Sequence, residues 1–141
     1  VIIALDVGLR RIGVAISPDG RTVLPQEAIL RKGRKQAAAE VLKVVEEWQP
    51  DTLVVGLPRG GSSEEEMERR IRHFIGLLEL PKEVSIVYQD EAGSSEEAKE
   101  RMQGITRQKR DGRIDSLAAQ IILERWLQEI NRSQRDRSTT Q

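Results

Sequence analysis

Residues 3–16 read Ile3-Ala4-Leu5-Asp6-Val7-Gly8-Leu9-Arg10-Arg11-Ile12-Gly13-Val14-Ala15-Ile16. Two apolar runs, each long enough for a strand, are separated by a short polar turn through Gly8, Arg10 and Arg11. That spacing predicts a hairpin of strands at 1–6 and 12–17. The first strand ends in a carboxylate, Asp6, beside two arginines. A further turn at Pro18-Asp19-Gly20 leads into a third strand over 22–31, completing an antiparallel meander.

Beyond the meander the periodicity changes. Ala37, Val41, Val44, Val45 and Trp48 recur at helical spacing over 34–48, and Pro50 marks the exit. Thr52-Leu53-Val54-Val55-Gly56-Leu57 is a continuous apolar run, the pattern of a strand buried on both faces. A loop at 58–63 precedes a helix over 64–79, with Met67, Ile71, Phe74, Ile75 and Leu78 facing inward. Pro81 breaks it, and Val84-Ser85-Ile86-Val87-Tyr88 reads as the next strand, ending in Asp90-Glu91. Ser94 or Ser95 can cap a helix to about Met102. A basic connection over 104–112 leads to a last helix from about Gly112 to Asn131, whose inward stripe is Ala118, Ala119, Ile122, Leu123 and Trp126. Residues 132–141 carry no apolar stripe and are expected to be a disordered basic tail after a domain at 1–131. The order predicts an α/β fold: a mixed five-stranded sheet flanked by helices, with the first strand central and the strands at 52–57 and 84–88 added parallel beside it.

Lys+Arg and Asp+Glu both number 23, so the net charge is zero, but the charge is uneven. Residues 1–35 carry seven basic and three acidic side chains, residues 36–100 seven and fifteen, and residues 101–141 nine and five. Both ends are basic, and they hold Asp6 and Asp115. Basic surface around carboxylates suits an enzyme acting on a polyanion, although salt-bridged helices account for the same composition. There is no cysteine, which excludes disulfides and thiolate metal sites. No segment has the apolar length of a membrane span, and no basic leader opens the chain. The expected location is the cytoplasm, away from membranes. Trp48 and Trp126 fall on inner helical stripes and read as core; His73, in an arginine-rich helix, reads as a surface residue.

Asp6, Glu91 and Asp115 each stand where a buried apolar segment ends or turns. Singly, each has a plainer explanation: a turn former, a solvated loop, or a charge complementing a helix N-terminus. Asp115 is harder to dismiss, because Ala118, Ala119, Ile122 and Trp126 follow it at helical spacing, and a charge on an apolar face needs a partner. In the proposed topology the three meet at one sheet edge. Phosphodiester hydrolysis with two divalent cations about 4 Å apart needs several converging carboxylates, and Mg²⁺ or Mn²⁺ takes such oxygen ligands. Asp6 would bridge the ions, with Glu91 and Asp115 each completing one site. Arg10 and Arg11 on one side, and Lys109, Arg110 and Arg113 on the other, are candidate contacts to a nucleic-acid backbone.

Ala4-Leu5-Asp6-Val7-Gly8 with Arg11-Ile12-Gly13-Val14-Ala15 resembles the opening of the YqgF (RuvX) nuclease family, a branch of the RNase H-like superfamily. Val54-Val55-Gly56-Leu57-Pro58, Asp90-Glu91 and Ile114-Asp115-Ser116-Leu117-Ala118-Ala119 resemble its later motifs, in order, over about residues 1–130. Ala92 stands where the family has an arginine, and the loop after Pro58 is shorter. The resemblance implies an RNase H-like fold and a metal-dependent endonuclease with Asp6, Glu91 and Asp115 as its acids. It also implies a role in maturing the 5′ end of precursor 16S rRNA, with Holliday-junction resolution as the alternative. The partner is then structured RNA or branched DNA, and the chain a monomer or homodimer, since a resolvase needs paired sites. The hairpin also resembles the phosphate-binding opening of actin-like ATPases, so a nucleotide-binding or non-catalytic nucleic-acid-binding module is the competing class.

Overall fold

The computed structural model describes residues 1–57, 64–90 and 116–139. Five strands, β1 (Ile2–Val7), β2 (Arg11–Ser17), β3 (Leu24–Leu30), β4 (Thr52–Leu57) and β5 (Ser85–Asp90), form one sheet in the order β3-β2-β1-β4-β5. β1 pairs antiparallel with β2 and β2 with β3, while β4 lies parallel to β1 and β5 parallel to β4. This is the expected mixed sheet, with β1 central. Among the described residues three helices flank it: α1 (Arg34–Trp48), α2 (Glu64–Gly76) and α3 (Leu117–Thr139).

Side chains alternate between the two faces of a strand, and here the faces have different partners. Ile3, Leu5, Val7, Leu53, Val55 and Leu57 pack with Ala37, Val41, Val45, Ile71, Phe74 and Ile75 of α1 and α2. Ala4, Ala15 and Val54 pack with Ala119, Ile122, Leu123 and Leu127 of α3. The alanines under α3 let its backbone come close to the sheet. Fully burying Ile122 and Leu123 stabilises the docked helix by roughly 1.5–3 kcal/mol each. Trp48 and Trp126 are half-buried against these two cores, as their spacing predicts.

The departures are at element ends. β3 starts at Leu24 rather than at residue 22. The Asp19 carboxylate accepts hydrogen bonds from the backbone N–H of Arg21 (2.9 Å) and of Thr22 (2.8 Å), which holds both residues in the turn. α2 ends at Gly76, where the Leu77 N–H is shared between the carbonyls of His73 and Phe74 and the Leu78 N–H reaches back only three residues, to that of Ile75. α3 runs to Thr139, past the expected helix end near Asn131. The apolar stripe stops, but residues 132–139 contain no Gly or Pro to break the helix. The expected loop at 58–63, the helix from Ser94 or Ser95 and the basic connection over 104–112 lie outside the described residues. No helix among those described is long and apolar enough to cross a membrane.

Candidate active site

The C-terminal ends of the parallel strands β1, β4 and β5 open on one edge of the sheet. Asp6 is the penultimate residue of β1 and is half-buried. By alternation it shares the α3 face with Ala4, opposite to Leu5 and Val7. Its partner across β2 is Gly13. Leu5 pairs with Val55, so Gly56 stands level with Asp6 on β4, and Gly56 pairs with Gln89 of β5. One row of the sheet therefore reads Gly13, Asp6, Gly56, Gln89. Neither neighbour of Asp6 carries a side chain.

The start of α3 is tied to this row. The Val14 N–H donates to Ser116 Oγ at 3.0 Å, in a fully buried contact between residues 102 apart in sequence. It forms where the β2–β3 ladder shifts register between Ile12 and Val14. Apolar burial holds α3 on the sheet; this one directional bond, worth about 1 kcal/mol net, sets where its first turn begins. Val14 is the residue after Gly13, the partner of Asp6, and Ser116 is the residue after Asp115 in the chain. Further along, Gln89 Nε2 donates to Glu129 Oε1 at 3.2 Å, linking β5 to α3 on the same face.

The hairpin turn beside Asp6 is tight. Gly8 N–H donates to the Arg11 carbonyl at 2.9 Å, and a Cβ at Gly8 would meet that oxygen at 2.7 Å. Arg31, at the exit of β3, braces the turn. Its Nη1 donates to the Gly8 carbonyl at 2.7 Å, its backbone N–H donates to the Arg10 carbonyl, and its guanidinium lies 5.0 Å from the centre of the Phe74 ring. Leu9, Arg10 and Arg11 are exposed at the tip.

Of the residues singled out in the sequence, Asp6, Arg10 and Arg11 are thus placed at one sheet edge. Glu91, Lys109, Arg110, Arg113 and Asp115 lie outside the described residues. Among the described residues no group of three His, Cys, Asp or Glu side chains could hold a metal ion. Ser116 was missed, although a serine directly before an apolar helix is a capping signal. The arginines of α1 and α2 were missed too, and they line the one cavity described below.

A family model described as "RuvX: Holliday junction resolvase" matches residues 1–129. The chain belongs to the RuvX family. A Sulfurovum protein is 65% identical over 124 residues, covering 88% of this chain and 95% of its own length. One from Sulfurimonas denitrificans is 51% identical over 127 residues, with 90% and 96% covered. One from Helicobacter pylori is 42% identical over 135 residues, with 92% and 97% covered. All three carry the name "Putative pre-16S rRNA nuclease". Among solved structures, T. thermophilus RuvC in complex with a Holliday junction substrate superposes with a TM-score of 0.56 at 14% identity, covering 92% of this chain and 95% of that one. The Fowlpox virus Holliday junction resolvase gives 0.51 at 14% identity, with 91% and 98% covered. At such identities the likeness is one of fold: this RuvX-family chain has the RNase H-like sheet.

Proposed function

We propose that this chain is an endonuclease that hydrolyses phosphodiester bonds at the sheet edge of Asp6, with the 5′ leader of precursor 16S rRNA as substrate. The relatives' shared name supports the substrate. The observation that carries the chemistry is the Val14–Ser116 bond, which ties the residue after Asp115 to the residue beside the Asp6 pair. Asp115 directly precedes Ser116 in the chain. The place of Glu91 in the chain, directly after the end of β5, supports it as the third acid. Tyr88 packs with the α1/α2 core while Gln89 bonds to α3.

Hard carboxylate oxygens at a glycine-walled position fit Mg²⁺ or Mn²⁺. Asp6, Glu91 and Asp115 would hold the cations, in a two-ion site if all three converge. A bound divalent cation supplies charge neutralisation and a more acidic water for attack on phosphorus. The chain's own part is to hold three mutually repelling carboxylates in place and to draw in the phosphate backbone through Arg10, Arg11, Lys109, Arg110 and Arg113.

The test is cleavage of a precursor 16S rRNA leader and of a four-way DNA junction side by side, with Mg²⁺ and with Mn²⁺. The expected result is leader cleavage that Asp6→Asn abolishes while the melting temperature is kept. Near-normal cleavage by that variant removes Asp6 from the mechanism. The family description favours the junction as second substrate; junction cleavage in its place gives that reading precedence, and paired sites then require a homodimer. Binding of either substrate without cleavage by the wild type sinks the enzyme reading.

A further inference from the structure

On the other side of the hairpin turn from Asp6 lies a cavity of about 570 Å³, within the size range of small-ligand sites. Its floor is apolar: Val7, Met67, Ile71 and Phe74. Its rim carries four arginines, Arg31, Arg34, Arg69 and Arg70, and His73, against one carboxylate, Glu66. That concentration of positive charge stands out in a chain of zero net charge. We propose that this cavity is a second phosphate-binding site, which takes the backbone of the nucleic-acid strand after it crosses the Gly8–Leu9 turn from the Asp6 edge. The inference rests on the nuclease reading for the identity of the strand, and on the cavity alone for its chemistry.

Three observations support it. The rim is organised. Arg31 is half-buried and pinned by Gly8 and Phe74, so its remaining N–H donors are aimed without further loss of side-chain freedom. Glu66, the one acid, is engaged at 2.7 Å by Arg70. Arg34 has no hydrogen bond or ion pair among the described residues, and Arg69 reaches only the Glu65 carbonyl, at 3.4 Å. Two exposed guanidiniums thus face the cavity uncommitted to any carboxylate. The floor is suited to the strand's other parts, since apolar surface beneath an arginine rim packs sugars and bases while the rim holds phosphate. The position is also right. Val7, Gly8 and Leu9, the residues directly after Asp6, form one wall, and Leu9 is 63% exposed at its lip.

The experiment is fluorescence anisotropy of a labelled single-stranded RNA leader across a salt series, in EDTA so that no cleavage intervenes. It compares wild type, Arg34→Glu/Arg69→Glu, and a charge-matched Lys43→Glu/Lys82→Glu control whose exposed lysines lie outside the cavity. The expected result is at least a tenfold loss of affinity for the arginine variant relative to the control. Its log–log salt slope should be shallower by about 1.4, two single-strand phosphate contacts at ~0.7 each. If charge reversal unfolds the protein, Arg34→Gln/Arg69→Gln replaces it, with the same slope change expected. Equal affinity and slope for the arginine variant and the control overturn the proposal. AMP binding lost in the arginine variant, with RNA binding unchanged, also overturns it, in favour of a free nucleotide. Cleavage by the wild type is scored separately. RNA bound through the arginines but never cut leaves the cavity standing and removes the nuclease reading; RNA cut normally with no arginine effect does the reverse.

Discussion

Replacing Ser116 by alanine removes one oxygen from a fully buried place. The Val14 N–H that donates to it at 3.0 Å is itself buried, since Val14 is 1% exposed. The cost is therefore the desolvation of an unsatisfied donor, about 1–3 kcal/mol, rather than the ~1 kcal/mol of a bond exchanged with water. At roughly 3.5 °C per kcal/mol for a domain of this size, melting should fall by about 3–10 °C. Urea denaturation should move the midpoint without changing the slope. Ile122, Leu123 and Leu127 stay buried in the variant, so α3 remains docked and only its first turn is freed. If that turn positions Asp115, cleavage well below the melting temperature should fall by ~10–100-fold, the scale of a misplacement of about 1 Å at a reacting centre. Ser116→Thr keeps the oxygen and should recover part of both losses. A stability change below about 0.5 kcal/mol would refute the burial argument. A large stability loss with full activity would refute the positioning argument.

Three further outcomes follow from the same geometry. Gly8→Ala brings a Cβ to 2.7 Å from the Arg11 carbonyl, so the turn must open. Stability should fall by about 1–3 kcal/mol, measured by thermal melting, and an unchanged melt would mean the turn relaxes freely. Asp19 has its carboxyl pKa lowered from 3.8, first by the Thr22 N–H and then by that of Arg21. Its contribution to stability is present above the unfolded value and is lost as pH falls through the lower folded one; Asp19→Ala should therefore be less stable than wild type near pH 6, with the gap closing below about pH 4. A gap that persists at low pH would assign the loss to turn geometry instead. Lys109→Ala should weaken RNA binding and reduce the salt slope by about 0.7; an unchanged slope excludes that contact.

Strand order and sheet composition were legible because they depend on local patterns. The run Leu53-Val54-Val55 could only be a strand covered on both sides, and Leu53 and Val54 now face α1/α2 and α3 in turn. The place of Asp6 near the end of β1 was legible for the same reason, as a charge closing an apolar strand. Other features depend on contacts distant in sequence. The Val14–Ser116 bond joins residues 102 apart, and nothing near either one announces the other. Of the cavity arginines, Arg34, Arg69 and Arg70 sit on two separate helices, where arginine ordinarily means solvation; only the sheet brings Arg34 and Arg69 to one rim. The end of α3 was not legible because the loss of an apolar stripe stops burial, not helix, and Arg132–Thr139 contains no residue that forbids the next turn.

The central claim is that three acids far apart in sequence share one cation cluster. Calorimetric titration of Mn²⁺ into wild type, Asp6→Asn, Glu91→Gln and Asp115→Asn tests it without reference to any substrate. Each substitution alone is expected to weaken Mn²⁺ binding at least tenfold while leaving the melting temperature of the metal-free protein in place. Wild-type affinity in either Glu91→Gln or Asp115→Asn would contradict it.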